Sequence, residues 1–365
     1  MASEGYTHVE LLTLSGPEYR RVSKAPPRIP TADEIPIINL TAIDGDLNSR
    51  KQLAAEVRAA SQNTGFFYIR NHGIPESLIK DALSQAQAFF AQPEAEKEKA
   101  SIRKSSSFNG YYGVGSTQVN RTESKDHKET FSFGYNPRND KTVEDVESLI
   151  ASNPDAYKDD DHDAMWEGVK HLPGFQKTLI EFWQCRLALA RKLIRIFALA
   201  LCLPEDYFDK MITHPGADSN MIHYPGTAGC EEGGIDKEID VGIGSHTDIQ
   251  CITLLWQDAP GLQVLSSNDE WLDARPIPGT LVVNIGDFLQ RLSNNTFKST
   301  VHRVYNKQVT SRYSMPFFLG FNPEAVCEVV PSCISEESPA LYAPISCGQW
   351  HHDRRALARA RKAAA

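Results

Sequence analysis

The chain has little that would build a disulfide framework, a membrane span or a nucleic-acid face. Its seven cysteines are odd in number and scattered, with no Cys-x-x-Cys pair. That usage suits a reducing compartment and excludes a cysteine-stapled secreted scaffold. The longest uninterrupted apolar run, IFALALCL at 196–203, has eight residues, against the roughly 20 that a membrane-spanning helix needs. The opening MASEGYTHVE offers neither the basic stretch nor the apolar core of a secretory signal. Positive charge is also short: 38 Lys and Arg face 47 Asp and Glu, a formal charge of −9. A sequence-independent nucleic-acid partner needs a basic face, and the tail HDRRALARARK (352–362) is too short to supply one. The GVG and GIG pieces lack the third glycine and following helix of a dinucleotide site. No cysteine stands in the Cys–His setting of a nucleophile. These absences leave a soluble intracellular enzyme, with no nucleic-acid or membrane partner, as the leading expectation.

What is present is ordinary for a globular chain. Of 365 residues, 41% are apolar and 23% charged, enough for a sizeable core. Residues 1–34, polar and proline-containing, read as an extension draped over the surface. Residues 35–140 open with the short β run IPIINL, a helix over 49–63, the strand GFFYIR and one long helix over 76–103. A loop-rich stretch follows, with KETFSFG as a further strand. Residues 141–215 form a linker that ends in an amphipathic backing helix at 179–204, with Arg186, Arg191, Lys192 and Arg195 on a polar stripe. The DDDHD run at 159–163 reads as a solvated loop. From 216 to 326 short β runs alternate with Gly, Pro and Asn, the texture of an antiparallel sandwich or barrel. Residues 327–365 complete one compact unit.

Two histidines stand in a telling context. GSHTDIQCITLL places His246 and Asp248 two apart in a β-like run, where i and i+2 share a face and can converge on one point. His302 in STVHRV lies 56 residues later in another β run. Two histidines and one carboxylate form the facial triad that holds Fe(II) and leaves three positions open. Ten residues on, RYSMPFF puts Arg312 and Ser314 on one strand face. A guanidinium in an apolar barrel is costly unless a carboxylate meets it, and its fork suits bidentate binding. An internal pair with Asp287 is the bland alternative.

At this point the sequence resembles the isopenicillin N synthase-like family of non-haem Fe(II)/2-oxoglutarate-dependent dioxygenases. The matching pieces are IPIINL, GFFYIRNHGIP, GYYG, KETFSFG, HYPG, SHTDIQCITLL, GLQVL, LVVNIGD, STVHRV and RYSMPFFLGFNP, in family order over about 35–325. The resemblance implies an α+β fold with a mainly β core, a distorted double-stranded β-helix (jelly roll) barrel backed by helices. It implies that His246, Asp248 and His302 ligate Fe(II), and that Arg312, Ser314 and Tyr224 hold the distal carboxylate of the co-substrate 2-oxoglutarate, with O2 as oxidant. Succinate and CO2 would form as a small molecule is hydroxylated, desaturated or cyclised, in specialised-metabolite or amino-acid metabolism. Plant members usually carry Asn two residues before the tyrosine, where this chain has Ile222.

Tyr111, Tyr112 and Phe321 are candidate substrate contacts. Glu129 reads as part of a structural ion pair, His223 as a non-ligand facing away from Tyr224, and Asn284 and Asp287 as scaffolding. Two alternatives remain beside the oxygenase reading: an oxidase using iron and O2 without 2-oxoglutarate, and a non-catalytic ligand-binding barrel.

Overall fold

The computed structural model describes residues 5–105, 109–154, 157, 159–226, 241–306 and 308–359. The chain opens with β1 (Tyr6–Thr13) and β2 (Gly16–Ser23), then β3 (Ile37–Asn39), α1 (Leu47–Asn63), β4 (Phe66–Arg70), α2 (Glu76–Phe90) and α3 (Glu94–Lys97). β5 (Gly110–Tyr112) and β6 (Glu129–Phe133) precede α4 (Val146–Ser152), α5 (Asp159–Gly168) and the long α6 (Phe175–Ala200). The strand-rich half comprises β7 (Ala217–Tyr224), β8 (Ile243–His246), β9 (Ile252–Gln257), β10 (Leu262–Leu265), β11 (Trp271–Asp273) and β12 (Thr280–Ile285). It continues through α7 (Asp287–Leu292), β13 (His302–Val304), β14 (Arg312–Leu319), β15 (Val326–Cys327), β16 (Ile345–Ser346) and α8 (Cys347–Arg359).

An eight-stranded sheet, ordered β3-β4-β12-β9-β14-β7-β6-β5, faces a four-stranded sheet, β11-β10-β13-β8. Every pairing is antiparallel except β3 with β4. This is the jelly roll with backing helices. Strand alternation gives the large sheet two apolar faces. Phe67, Ile69, Phe131, Leu254, Val283 and Phe317 pack toward the helices, α6 above all, in one core. Phe66, Tyr68, Ile222, Tyr224 and Val282 point the other way and close with Leu262, Val264 and Val304 into a second core, the barrel interior.

Four expectations change. Residues 76–103 are not one helix: α2 stops at Phe90 and α3 starts after Pro93, because a proline removes a backbone donor and disfavours helical geometry before it. Arg186 leaves the polar stripe. It is buried under the large sheet, where its guanidinium donates to Ser219 Oγ at 2.7 Å and to the Met315 carbonyl at 3.2 Å. The DDDHD run is not a loop but opens α5, and its side chains lie outside the described residues. The extension forms a hairpin whose Val9 and Val22 bury against Leu265, Trp271 and Val301. Arg28 then bonds along β11, covering the free edge of the smaller sheet.

Candidate metal centre and ligand pocket

His246 ends β8 and His302 opens β13, and the two are register partners. Asp248 lies past the end of β8, in the turn that leads into β9. The turn is pinned by the Asp287 amide, which donates to the Asp248 carbonyl at 2.7 Å. Convergence of His246 with Asp248 is therefore the work of a fixed turn, not of strand alternation as the spacing suggested. The ligand atoms of His246, Asp248 and His302 lie within 4.8 Å of one another. Asp248 Oδ1 is 3.7 Å from His246 Nε2 and 3.6 Å from His302 Nε2. A divalent ion with bonds of about 2 Å can bridge groups this close.

The surrounding groups leave the right atoms free. His246 Nδ1 donates to the Gly244 carbonyl at 2.7 Å, and His302 Nδ1 to the Thr300 carbonyl at 3.0 Å. Each ring therefore carries its proton on Nδ1 and presents the Nε2 lone pair to the centre. Asp248 Oδ2 accepts from Asn284 Nδ2 at 2.7 Å and from Thr253 Oγ1, which leaves Oδ1 facing the histidines. Burial, the largest cause, pushes the His246 imidazole below its ordinary value, in keeping with a neutral ring. Burial alone would raise Asp248, but the two imidazoles and the bonds from Asn284 and Thr253 hold it below the usual carboxylate range. Phe66 meets the His302 ring edge-on, centroids 5.2 Å apart, and walls one side.

Arg312 is fully buried on β14. Its Nε donates to the Ala259 carbonyl at 3.0 Å and its Nη2 to Gln257 Oε1 at 2.7 Å, while Nη1 has no partner. The guanidinium sits 4.8 Å over the Tyr224 ring. Gly261, at φ +146°, permits this placement: a Cβ there would lie 2.7 Å from the Tyr305 carbonyl and 3.1 Å from Arg312 Nε. Ser314 lies two residues on, buried, opposite Ile222. The alternative Arg312–Asp287 pair does not form. Asp287 accepts instead from Arg354 and Ser299, each at 2.7 Å, and from Thr247 at 3.1 Å.

The remaining candidates separate by face. Tyr112 pairs with Thr130, which pairs with Ile222, and so shares the barrel side. Tyr111 turns the other way. It is buried against Phe89, and its hydroxyl donates to Glu129 at 2.8 Å. Glu129 also takes Lys97 at 2.5 Å and His223 Nδ1 at 2.7 Å, so both Glu129 and His223 lie in a buried network behind the sheet. Phe321 stacks on Phe208, centroids 5.2 Å apart, in the helix-side core. Tyr111 and Phe321 thus lie in the helix-side core, while Tyr112 shares the barrel side. The sequence reading missed the clamps Thr253 and Gln257 and took Asn284 for scaffolding. All three sit at alternating barrel-side positions of β9 and β12, which was the available signal.

Comparison with known proteins agrees with this architecture. Residues 35–154 match the family described as non-haem dioxygenase in morphine synthesis N-terminal, and residues 217–321 match the 2OG-Fe(II) oxygenase superfamily. The chain is 38% identical over 348 residues to the 2-oxoglutarate-Fe(II) type oxidoreductase ppzC of Metarhizium majus, covering 94% of this chain and 92% of that one. It is 34% identical over 323 residues to the 2-oxoglutarate-Fe(II) type oxidoreductase hxnY of Emericella nidulans, covering 87% of each. Among solved structures it resembles full-length Neurospora crassa T7H in complex with alpha-KG and thymine. The TM-score there is 0.73 and the identity 27%, over 91% of this chain and 99% of the other. With a histidine–aspartate–histidine cluster inside a jelly roll and relatives of this kind along nearly its whole length, the chain belongs to the non-haem Fe(II)/2-oxoglutarate-dependent dioxygenases and is an oxidoreductase that uses Fe(II), 2-oxoglutarate and O2.

Proposed function

We propose that His246, Asp248 and His302 hold the iron, and that Arg312, Ser314 and Tyr224 receive the distal carboxylate of 2-oxoglutarate. The substrate is then a small molecule that enters on the barrel side beside Tyr112. One observation carries the reading. Among the described residues, the two Nε2 atoms, Asp248 Oδ1 and Arg312 Nη1 make no hydrogen bond, while their neighbours on the same side chains are tied. When bound, iron and 2-oxoglutarate supply the oxidising power from O2, the oxo acid leaving as succinate and CO2 while a substrate C–H bond is oxidised. The protein's part is positioning. The Nδ1 bonds fix both ring orientations, and Gln257 and the Ala259 carbonyl fix the guanidinium fork. The apolar lining of Ile222, Leu255, Leu262, Val264 and Val304 keeps water out, which strengthens each charge contact. Hydroxylation, desaturation or ring closure follows from where the substrate C–H sits.

Among the described residues no helix is long and apolar enough to cross a membrane. A cytoplasmic setting belongs to the same reading and is supported by the cysteine usage. The test is turnover of 2-oxoglutarate in air. The unmodified protein should form one succinate per 2-oxoglutarate consumed. Arg312→Lys, which keeps the charge and loses the fork, should raise the KM for 2-oxoglutarate about tenfold to a hundredfold. An unchanged KM in that variant would remove Arg312 from the site.

A further inference from the structure

The barrel-side row that contains Arg312 continues across the large sheet. Arg312 on β14 is the register partner of Tyr224 on β7, and His223, one residue back, is the partner of Glu129 on β6. Lys128 immediately precedes Glu129, so alternation puts it beside Tyr224 on the barrel side while Glu129 and His223 face the helices. Lys128 is only 6% exposed. Its ammonium lies 5.5 Å from the centre of the Tyr112 ring and 4.0 Å from Asp126 Oδ2, beyond hydrogen-bonding distance. Asp126 is already engaged: Oδ2 accepts from Thr117 at 2.6 Å, and Oδ1 from the amides of Gly244 at 3.2 Å and Val119 at 3.4 Å. Among the described residues Lys128 makes no hydrogen bond. The one carboxylate beside this ammonium is thus shared with three other donors, and a second anion would complete its pairing.

Arg312 Nη1, which has no partner, and Lys128 Nζ, whose ionic neighbour among the described residues is Asp126 at 4.0 Å, therefore flank Tyr224 in one row. The row spans two strand spacings, about 10 Å, which the two long side chains can close from either end. We propose that Lys128 is a second cation for the distal carboxylate of 2-oxoglutarate, sharing its two oxygens with Arg312 across Tyr224. This rests on the assignment of Arg312 above and adds a residue to it. Its consequence is selectivity, since a 2-oxo acid without the distal carboxylate gains nothing from Lys128.

The experiment is an anaerobic calorimetric titration of the Fe(II)-loaded protein with 2-oxoglutarate and, separately, with 2-oxopentanoate, in which a methyl group replaces the distal carboxylate. In Lys128→Met the Kd for 2-oxoglutarate should rise about tenfold to a hundredfold while that for 2-oxopentanoate stays within about twofold. Lys128→Arg should recover most of the loss. If Lys128→Met does not fold, Lys128→Gln, which keeps a polar end, carries the same comparison. If the two acids weaken in parallel, Lys128 only braces Asp126 and the proposal is overturned. If the unmodified protein prefers 2-oxoglutarate and the variant keeps the full preference, the proposal fails and the Arg312 assignment stands. If the unmodified protein shows no preference, both fall.

Discussion

His246 and His302 stand opposite each other across the β8–β13 pair, with ring centres 4.2 Å apart, although 55 residues separate them in the chain. Directly opposed residues of an antiparallel pair share a face, so the register of two short strands, not a local motif, brings together two of the three candidate ligands. The third member comes from the turn after β8, and its orientation depends on what holds it.

Asn284 and Thr253 are what hold it, both donating to Asp248 Oδ2. Asn284→Ala should therefore weaken Fe(II) binding about tenfold to a hundredfold, the usual cost of removing such a supporting bond, with Thr253→Ala weaker in the same direction. Anaerobic Fe(II) titration of the variants checks this. Unchanged affinity in both would mean that the turn alone orients the carboxylate.

The adjacent tyrosines should behave oppositely. Tyr111→Phe removes a buried bond to Glu129 and should lower stability by about 1–2 kcal/mol, leaving every KM in place. Tyr112→Ala, on the barrel side, should change substrate KM with a small effect on the melting temperature. Thermal unfolding and steady-state kinetics of the pair decide, and the reverse pattern would show that the faces are misassigned.

Arg28, first, and then the Thr31 amide hold the Glu34 carboxyl down to about 2, against an ordinary value of 4.5. Arg28 also pairs with Glu270 at 2.8 Å, joining the N-terminal segment to the barrel. Because the folded-state pKa is depressed, Glu34 stabilises the fold above about pH 4.5, and that contribution is lost as the pH falls toward 2. Glu34→Gln should accordingly be less stable at neutral pH and show a shallower fall in melting temperature between pH 4.5 and 2. Parallel curves for the two proteins would contradict this.

Much of the site was legible because its signals are chemical. A His-x-Asp, a later histidine in a β run and an Arg-x-Ser on one strand are costly residues to place in an apolar barrel without a ligand. Alternation correctly put Arg312 with Ser314 and turned His223 away from Tyr224. It could not say which face of the large sheet is the barrel interior, because that sheet is buried on both sides and both faces are apolar. Tyr111 and Tyr112 stand together as candidates because the sequence reads their segment as a loop, where alternation assigns no face. Phe321 is ambiguous for a related reason, since an aromatic at a strand end looks the same whether it lines a pocket or fills a core. Lys128 was invisible for the opposite reason: a buried lysine and a solvated one have the same letter, and only the packing around Tyr112 and Asp126 tells them apart. Pro93 did carry a helix-breaking signal, which the periodicity of 76–103 masked.

Three histidines lie on or beside these strands, and the metal assignment makes a different demand of each. Anaerobic Fe(II) titration of the unmodified protein and of His246→Ala, His302→Ala and His223→Ala separates them in one measurement. The unmodified protein and His223→Ala should each bind one equivalent tightly, whereas His246→Ala and His302→Ala should lose tight binding while retaining the fold. Stoichiometric iron in either of the last two variants, or its loss in a folded His223→Ala, would contradict the assignment of His246, Asp248 and His302 as the metal centre.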